Sequence, residues 1–146
     1  MIPSTSMSDR GGAQGESDEV FLAFAAPGGT RDLVLEDDGR VAYAYLRVDG
    51  EIVGDVWLYN VGPDPVSVDW GDRDALPFCN PASYCAHERM PRLRADAAVT
   101  CEWYEDGVLL RVDGELWARL EHGSRPGWSR GARMPGPAAL PLSTAP

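Results

Sequence analysis

The sequence predicts a mainly β protein of the α+β class. It would hold two antiparallel three-stranded meanders, about seven strands in all, with one or two short helices and disordered ends. Three observations carry this reading. Asp-Gly stands at four places: Asp38-Gly39, Asp49-Gly50, Asp106-Gly107 and Asp113-Gly114. The segments between these pairs have strand length and are rich in β-branched and aromatic residues. The composition, 44% hydrophobic and 25% charged over 146 residues, is that of one folded domain. Asp-Gly between such segments marks a hairpin, because both residues tolerate the positive φ of a tight primed turn.

Residues 1–17, rich in Ser and Gly and without the apolar run of a secretory leader, are expected to be a disordered lead-in. Residues 18–134 form the β-rich domain, and 135–146, rich in Pro and Ala, are expected to be a flexible tail. Val20–Ala25 reads as the first strand. The first meander covers Asp32–Glu36, Arg40–Val48 and Glu51–Asn60; the second covers Ala98–Glu105, Val108–Val112 and Glu115–Glu121. The near repeat Arg47-Val-Asp-Gly-Glu51 and Arg111-Val-Asp-Gly-Glu115 is shared turn chemistry.

A two-residue loop at Asp49-Gly50 sets Tyr45 opposite Gly54, Tyr43 opposite Val56 and Val41 opposite Leu58. A three-residue turn at Asp37-Asp38-Gly39 pairs Glu36 with Arg40. Leu33, Leu35, Val41, Tyr43, Tyr45, Ile52, Val56 and Leu58 then share a core face. The opposite face carries Ala42, Ala44, Leu46, Val53, Asp55, Trp57 and Tyr59, with Trp57 lying over Ala42. Two readings of that face compete: later chain segments cover it, or it is an open aromatic and acidic surface suited to anchoring a partner.

In the second meander Val99, Cys101, Trp103, Val108, Leu110, Val112 and Trp117 fall on one face, which places Cys101 in the core. Glu102 and Arg111 are expected to pair across the strands on the other. Asn80-Pro81 has the chemistry of a helix start, with Asn as cap and Pro in the first helical position, and predicts a helix through Met90. A second short helix is expected over Arg125–Met134, anchored by Trp128.

The chain has 13 Arg, no Lys and 23 acids, a net charge of −10. Residues 16–74 hold 14 acids against 4 Arg, while the rest of the chain balances. Such acidity disfavours a nucleic-acid binder, because the phosphate backbone rewards a basic face. No apolar run reaches the roughly 18 residues of a membrane helix. Arg89, Arg92, Arg94, Arg125, Arg130 and Arg133 are read as partners for the protein's own carboxylates. The acidic half is either a solubilising surface or a lure that steers a basic partner.

Cys79, Cys85, His87 and Cys101 are residue types that bind zinc, but their spacing lacks a Cys-x-x-Cys pair. No metal or cofactor is expected. The rival to a binding protein is a small enzyme or metal protein built on Cys79, Cys85 and His87; a structural subunit is a third reading. Three cysteines, an odd number, point to reduced thiols and hence to the cytoplasm. The run Asp69-Trp-Gly-Asp-Arg-Asp74 lacks the Gly and Glu positions of a calcium loop. It is either an ordinary acidic turn with Trp70 folded inward or a loop that displays Trp70 among Asp69, Asp72 and Asp74, a composition that suits a basic partner.

The stretches Val41-Ala-Tyr-Ala-Tyr-Leu46, Gly54-Asp-Val-Trp-Leu-Tyr-Asn60 and Arg125-Pro-Gly-Trp-Ser129 give the chain, from Leu33 to Trp128, a resemblance to small acidic bacterial immunity proteins. These are encoded beside polymorphic, contact-delivered or type VI toxins. The resemblance implies a cytoplasmic, non-enzymatic protein that occludes a cognate toxin, often a basic nuclease; no site carries over residue by residue. On this reading Trp57, Tyr59 and Trp70 anchor the partner, and Asp55, Asp69, Asp72 and Asp74 meet its Arg or Lys. Trp57→Ala is then expected to cost binding and leave folding intact.

Overall fold

The computed structural model describes residues 19–86 and 90–145. The fold is mostly β, in two sheets. The first holds β1 (Val20–Ala25), β2 (Arg31–Asp37), β3 (Val41–Val48) and β4 (Glu51–Asn60) in chain order. The second holds β5 (Val99–Tyr104), β6 (Gly107–Val112), β7 (Glu115–Glu121), β8 (Trp128–Ser129) and β9 (Leu140–Pro141). Each predicted meander is therefore part of a larger sheet extended along one edge, the first by the expected strand β1 and the second by β8 and β9. All pairings are antiparallel except that of β8 with β9.

The Asp-Gly signals fold as their chemistry requires, in three ways. At Asp49-Gly50 and Asp113-Gly114 both residues have positive φ, 51° and 84° in the first pair, 52° and 85° in the second. That is the backbone of a two-residue primed hairpin. At Asp106-Gly107 the turn is Glu105-Asp106 and Gly107 opens β6. A Cβ on Gly107 would sit 2.1 Å from the Leu120 carbonyl oxygen, so glycine serves the close approach of β7. At Asp38-Gly39 the loop is longer than predicted. Asp38 Oδ1 accepts from the N–H of Arg40 and of Val41, both at 2.9 Å, and Asp37 pairs with Ala42.

That longer loop and two bulges in β4 reassign the faces of the first sheet. Ala42 opposes Tyr59 and Tyr43 opposes Trp57, leaving Leu58 as an extra residue; Leu46 opposes Gly54 and Arg47 opposes Ile52, leaving Val53 extra. Each bulge shifts the register by one and exchanges the faces beyond it. The inner face becomes Leu33, Leu35, Ala42, Ala44, Leu46, Val56 and Tyr59, all buried. It packs on Val108, Leu110, Val112, Trp117, Ala118 and Leu120 of the second sheet, with Tyr59 edge-on to Trp117 at 6.2 Å. Tyr43, Tyr45, Asp55 and Trp57 lie on the outer face instead. The expectation that Tyr43 and Tyr45 share the core face with Leu33 and Leu35 is thus corrected by the register.

Both predicted helices are corrected as well. Asn80-Pro81 leads only into a 3-10 turn at Ala82–Tyr84, because the Cys85 N–H bonds back to Ala82 and Cys85 turns extended to bridge Ala132. Residues 87–89 of that prediction lie outside the described residues. Arg125–Met134 forms β8, since Trp128 and Ser129 pair with Arg119 and Ala118 of β7.

The expected tail belongs to the fold through residue 145. Leu140–Pro141 pairs with β8, and Ala138 and Ala139 are buried. The physical reason is the open edge of β4, whose unpaired peptide groups need partners. Gly123 N–H donates to Val53, Asp55 N–H to Ser124, Gly127 N–H to Asp55 and Trp57 N–H to Ala138. Residues 123–138 therefore seal the edge between the sheets. The expected lead-in, residues 1–17, lies outside the described residues.

Of the arginines read as partners for the protein's own carboxylates, Arg92, Arg94, Arg125 and Arg130 make such pairs, Arg133 Nε donates to the Cys85 carbonyl at 2.9 Å, and Arg89 lies outside the described residues. Arg92 pairs with Asp37, Arg94 with Asp96 and Asp113, Arg125 with Asp55, Arg130 with Glu115 and Arg111 with Glu102. No helix among the described residues is long and apolar enough to cross a membrane.

Candidate functional site

The outer face of the first sheet carries a cleft of about 490 Å³. Its floor is Tyr43 and Tyr45 from β3 with Asp55 from β4. One wall is Trp70, Leu76, Pro77 and Phe78 from the long connection between the sheets; the other is Arg125, Pro137 and Ala138. Alternation along β3 places both tyrosines outward, their rings stacked with centroids 6.0 Å apart and planes 14° from parallel. Two hydrogen bonds from the sheet hold the connection over them, and a ring contact braces the connection itself. Tyr43 Oη donates to the Phe78 carbonyl at 2.9 Å, Arg40 Nη2 donates to that of Pro77, and Trp70 meets Phe78 edge-on at 5.1 Å.

The cleft's own charges, Asp55 and Arg125, pair with each other, and nearby carboxylates act on its tyrosines. Burial pushes the Tyr45 phenol up to about 12, helped by the charges of Glu36, Asp55 and Asp38. Burial also raises the Glu36 carboxyl, with Asp38 and Glu19 adding repulsion. Burial raises the Tyr43 phenol as well, with Tyr45, Asp55 and Cys79 adding to the shift and Arg40 opposing it. Both phenols therefore stay protonated at neutral pH. Rings faced by carboxylates attract cations, through the ring quadrupole and through charge.

Of the residues singled out in the sequence, Asp55 and Trp70 line this cleft. Asp69, Asp72 and Asp74 are exposed on the loop that carries Trp70. Two of them also order that loop: Asp69 Oδ1 accepts from Gly71 N–H and Asp72 Oδ1 from Asp74 N–H, both at 3.0 Å. Trp57 and Tyr59 are corrections, each 1% exposed. Gly131 runs so close to the Trp57 ring that a Cβ there would lie 3.3 Å from Cζ3, and Tyr59 points into the inter-sheet core. Tyr43, Tyr45 and Phe78 were missed as site residues. The Tyr-x-Tyr spacing puts the first two on one face, but the register had assigned that face to the core.

Of the alternative cluster the structure describes Cys79 and Cys85, which lie near enough for Cys79 to add to the shift of the Cys85 thiol. Cys85 is buried, its Sγ donating to the Pro81 carbonyl at 3.4 Å, while Cys79 lies beside Arg40. His87 lies outside the described residues. Among the described residues no group of three or more His, Cys, Asp or Glu is placed to hold a metal ion. Burial pushes the Cys85 and Cys101 thiols up to about 12, with Asp64 adding to the shift at Cys85, and raises Cys79.

These shifts predict alkaline sensitivity. A thiol or phenol whose folded pKa lies above its unfolded value favours the folded state fully at pH values below the unfolded pKa. That contribution fades as pH rises toward the folded pKa. With unfolded values near 8.5 for Cys and 10 for Tyr, unfolding free energy is expected to fall from about pH 9, at up to about 1.4 kcal/mol per pH unit per group. Urea unfolding between about pH 7 and 10.5 measures this; a flat profile contradicts it.

No protein-family model, curated protein or solved structure matches this chain.

Proposed function

We propose that this chain is a protein-binding module, an immunity- or antitoxin-like inhibitor that occludes a basic partner such as a toxin domain. The observation that carries the reading is the cleft itself, an aromatic floor with the Asp55 carboxylate in it, beside a loop that carries the exposed Asp69, Asp72 and Asp74. Tyr45, Trp70 and Phe78 offer rigid anchoring surface, and Leu76, 55% exposed, extends the apolar wall to the edge. The acids of residues 32–74 supply a long-range field that orients a positive partner before contact. Three unbridged cysteines support action in the cytoplasm.

The test pairs the purified chain with the product of its neighbouring gene. An equimolar complex is expected, with an association rate that falls at least about tenfold as salt rises from about 0.05 to 0.5 M. Dissociation should change far less, because the contacts that break then are short-ranged. The double variant Tyr45→Ala/Trp70→Ala is expected to weaken the complex by about 2 kcal/mol or more. Absence of a complex with that product overturns the inhibitor reading, and an association rate indifferent to salt overturns steering.

A further inference from the structure

The cleft has one charged group on its floor, the Asp55 carboxylate. We propose that it receives an arginine side chain of the partner protein, and that Arg125 occupies the Asp55 carboxylate until the incoming guanidinium displaces it. This inference rests on the protein-binding reading and deepens it. Arg125 Nε stands 3.1 Å from Asp55 Oδ2 at the cleft wall, so the site already holds a guanidinium. The hold is one-sided: 55% of the Arg125 side chain is exposed, against 25% of Asp55. Ion pairs this open contribute little to stability, so the arm can leave without unfolding the chain.

Two further groups are ready for a cation. Neither Glu36 nor the Tyr45 hydroxyl has a hydrogen-bond or ion-pair partner among the described residues. Glu36 faces Tyr43 across the strands and contributes to the negative field at Tyr45. The Tyr43 and Tyr45 rings stack near-parallel, with Tyr43 the buried member, and a planar guanidinium can extend such a stack on the more exposed Tyr45 ring while bridging to a carboxylate. A lysine ammonium, compact and strongly hydrated, gains less from it. Charge complementarity and ring geometry thus select the same occupant.

The probe is N-acetyl-arginine methylamide, titrated into the isotopically labelled chain and followed by NMR. Shifts are expected at the Tyr45 and Asp55 amides, the Arg125 Nε–H and the Trp70 indole N–H. The citrulline analogue, equal in shape and uncharged, should leave them in place. Arg125→Ala is expected to bind the arginine probe roughly three- to tenfold tighter, since its carboxylate is no longer occupied. Arg130→Ala, which removes the same charge from the distant pair with Glu115, is the control and should gain less. Equal shifts from citrulline, equal affinity for the lysine analogue, or no difference between the two variants overturns the proposal. If the partner complex forms while the probe moves none of these resonances, the arginine assignment fails and the protein-binding reading stands. If the probe binds but the partner does not, the arginine site stands and the inhibitor reading falls.

Discussion

Trp57→Ala is expected to lower the free energy of unfolding by about 3–5 kcal/mol, the usual cost of deleting a buried aromatic side chain. Single domains are stable by about 5–15 kcal/mol in total, so this one change brings the fold near its limit. The sequence alone points the other way, to a loss of binding with folding intact. The structure reverses that expectation because the indole is 1% exposed and covered by the protein's own chain. Its Nε1 donates to Asn60 Oδ1 at 2.8 Å, and Asn60 in turn holds Asp64 and the Asn80 backbone. Truncation therefore opens a cavity and loosens a buried polar cluster at once. Trp57→Phe retains most of the ring and loses the hydrogen bond, for a smaller cost of about 1–2 kcal/mol. Urea unfolding followed by circular dichroism reads both; a Trp57→Ala midpoint close to that of the parent chain places the ring outside the core.

The strands were legible because their signals are local. Alternating apolar residues between Asp-Gly pairs fix where β2 to β7 begin and end, and the left-handed φ values at Asp49-Gly50 and Asp113-Gly114 follow from the same residues. Which face is inside was not legible. It depends on the parity of the register, and Val53 and Leu58, the extra residues in β4, are ordinary strand formers that carry no mark of a bulge. The two bulges exchanged the faces of Asp55, Val56 and Trp57, and the extra residue in the Asp38-Gly39 loop exchanged the roles of Tyr43 and Tyr59. The closing segment shows a second limit. Pro and Ala near the end read as flexible chain, yet the Ala138 carbonyl serves the β4 edge and is ordered by Trp57, a residue far earlier in the chain. Asp55 and Trp70 could be picked out by composition; Phe78 and Pro137 enter the cleft only through such long-range packing.

Asp37→Ala is expected to cost a further large amount, about 3–5 kcal/mol, through a different mechanism. Asp37 is completely buried at the end of β2 and collects four donors. Tyr59 Oη lies 2.7 Å from Oδ2, Arg92 Nε and Nη2 lie at 3.0 and 3.3 Å, and Gly39 N–H is 2.9 Å from Oδ1. The Tyr59 hydroxyl also accepts from the Leu93 N–H at 3.2 Å. One carboxylate thereby ties β2, β4 and the segment at residues 92–93. Removing a single partner from a buried charged network strands the others, which costs more than the network contributes relative to an apolar core. Tyr59→Phe deletes one donor and leaves Arg92 in place, so about 1–2 kcal/mol is expected. Once Asp37 is gone the Tyr59 hydroxyl is itself stranded, so adding Tyr59→Phe should then cost little or restore stability. A double-mutant cycle over Asp37→Ala and Tyr59→Phe is therefore expected to show a coupling of about 1–3 kcal/mol. Additive losses would mean that the carboxylate and the hydroxyl act independently, against the 2.7 Å contact that joins them.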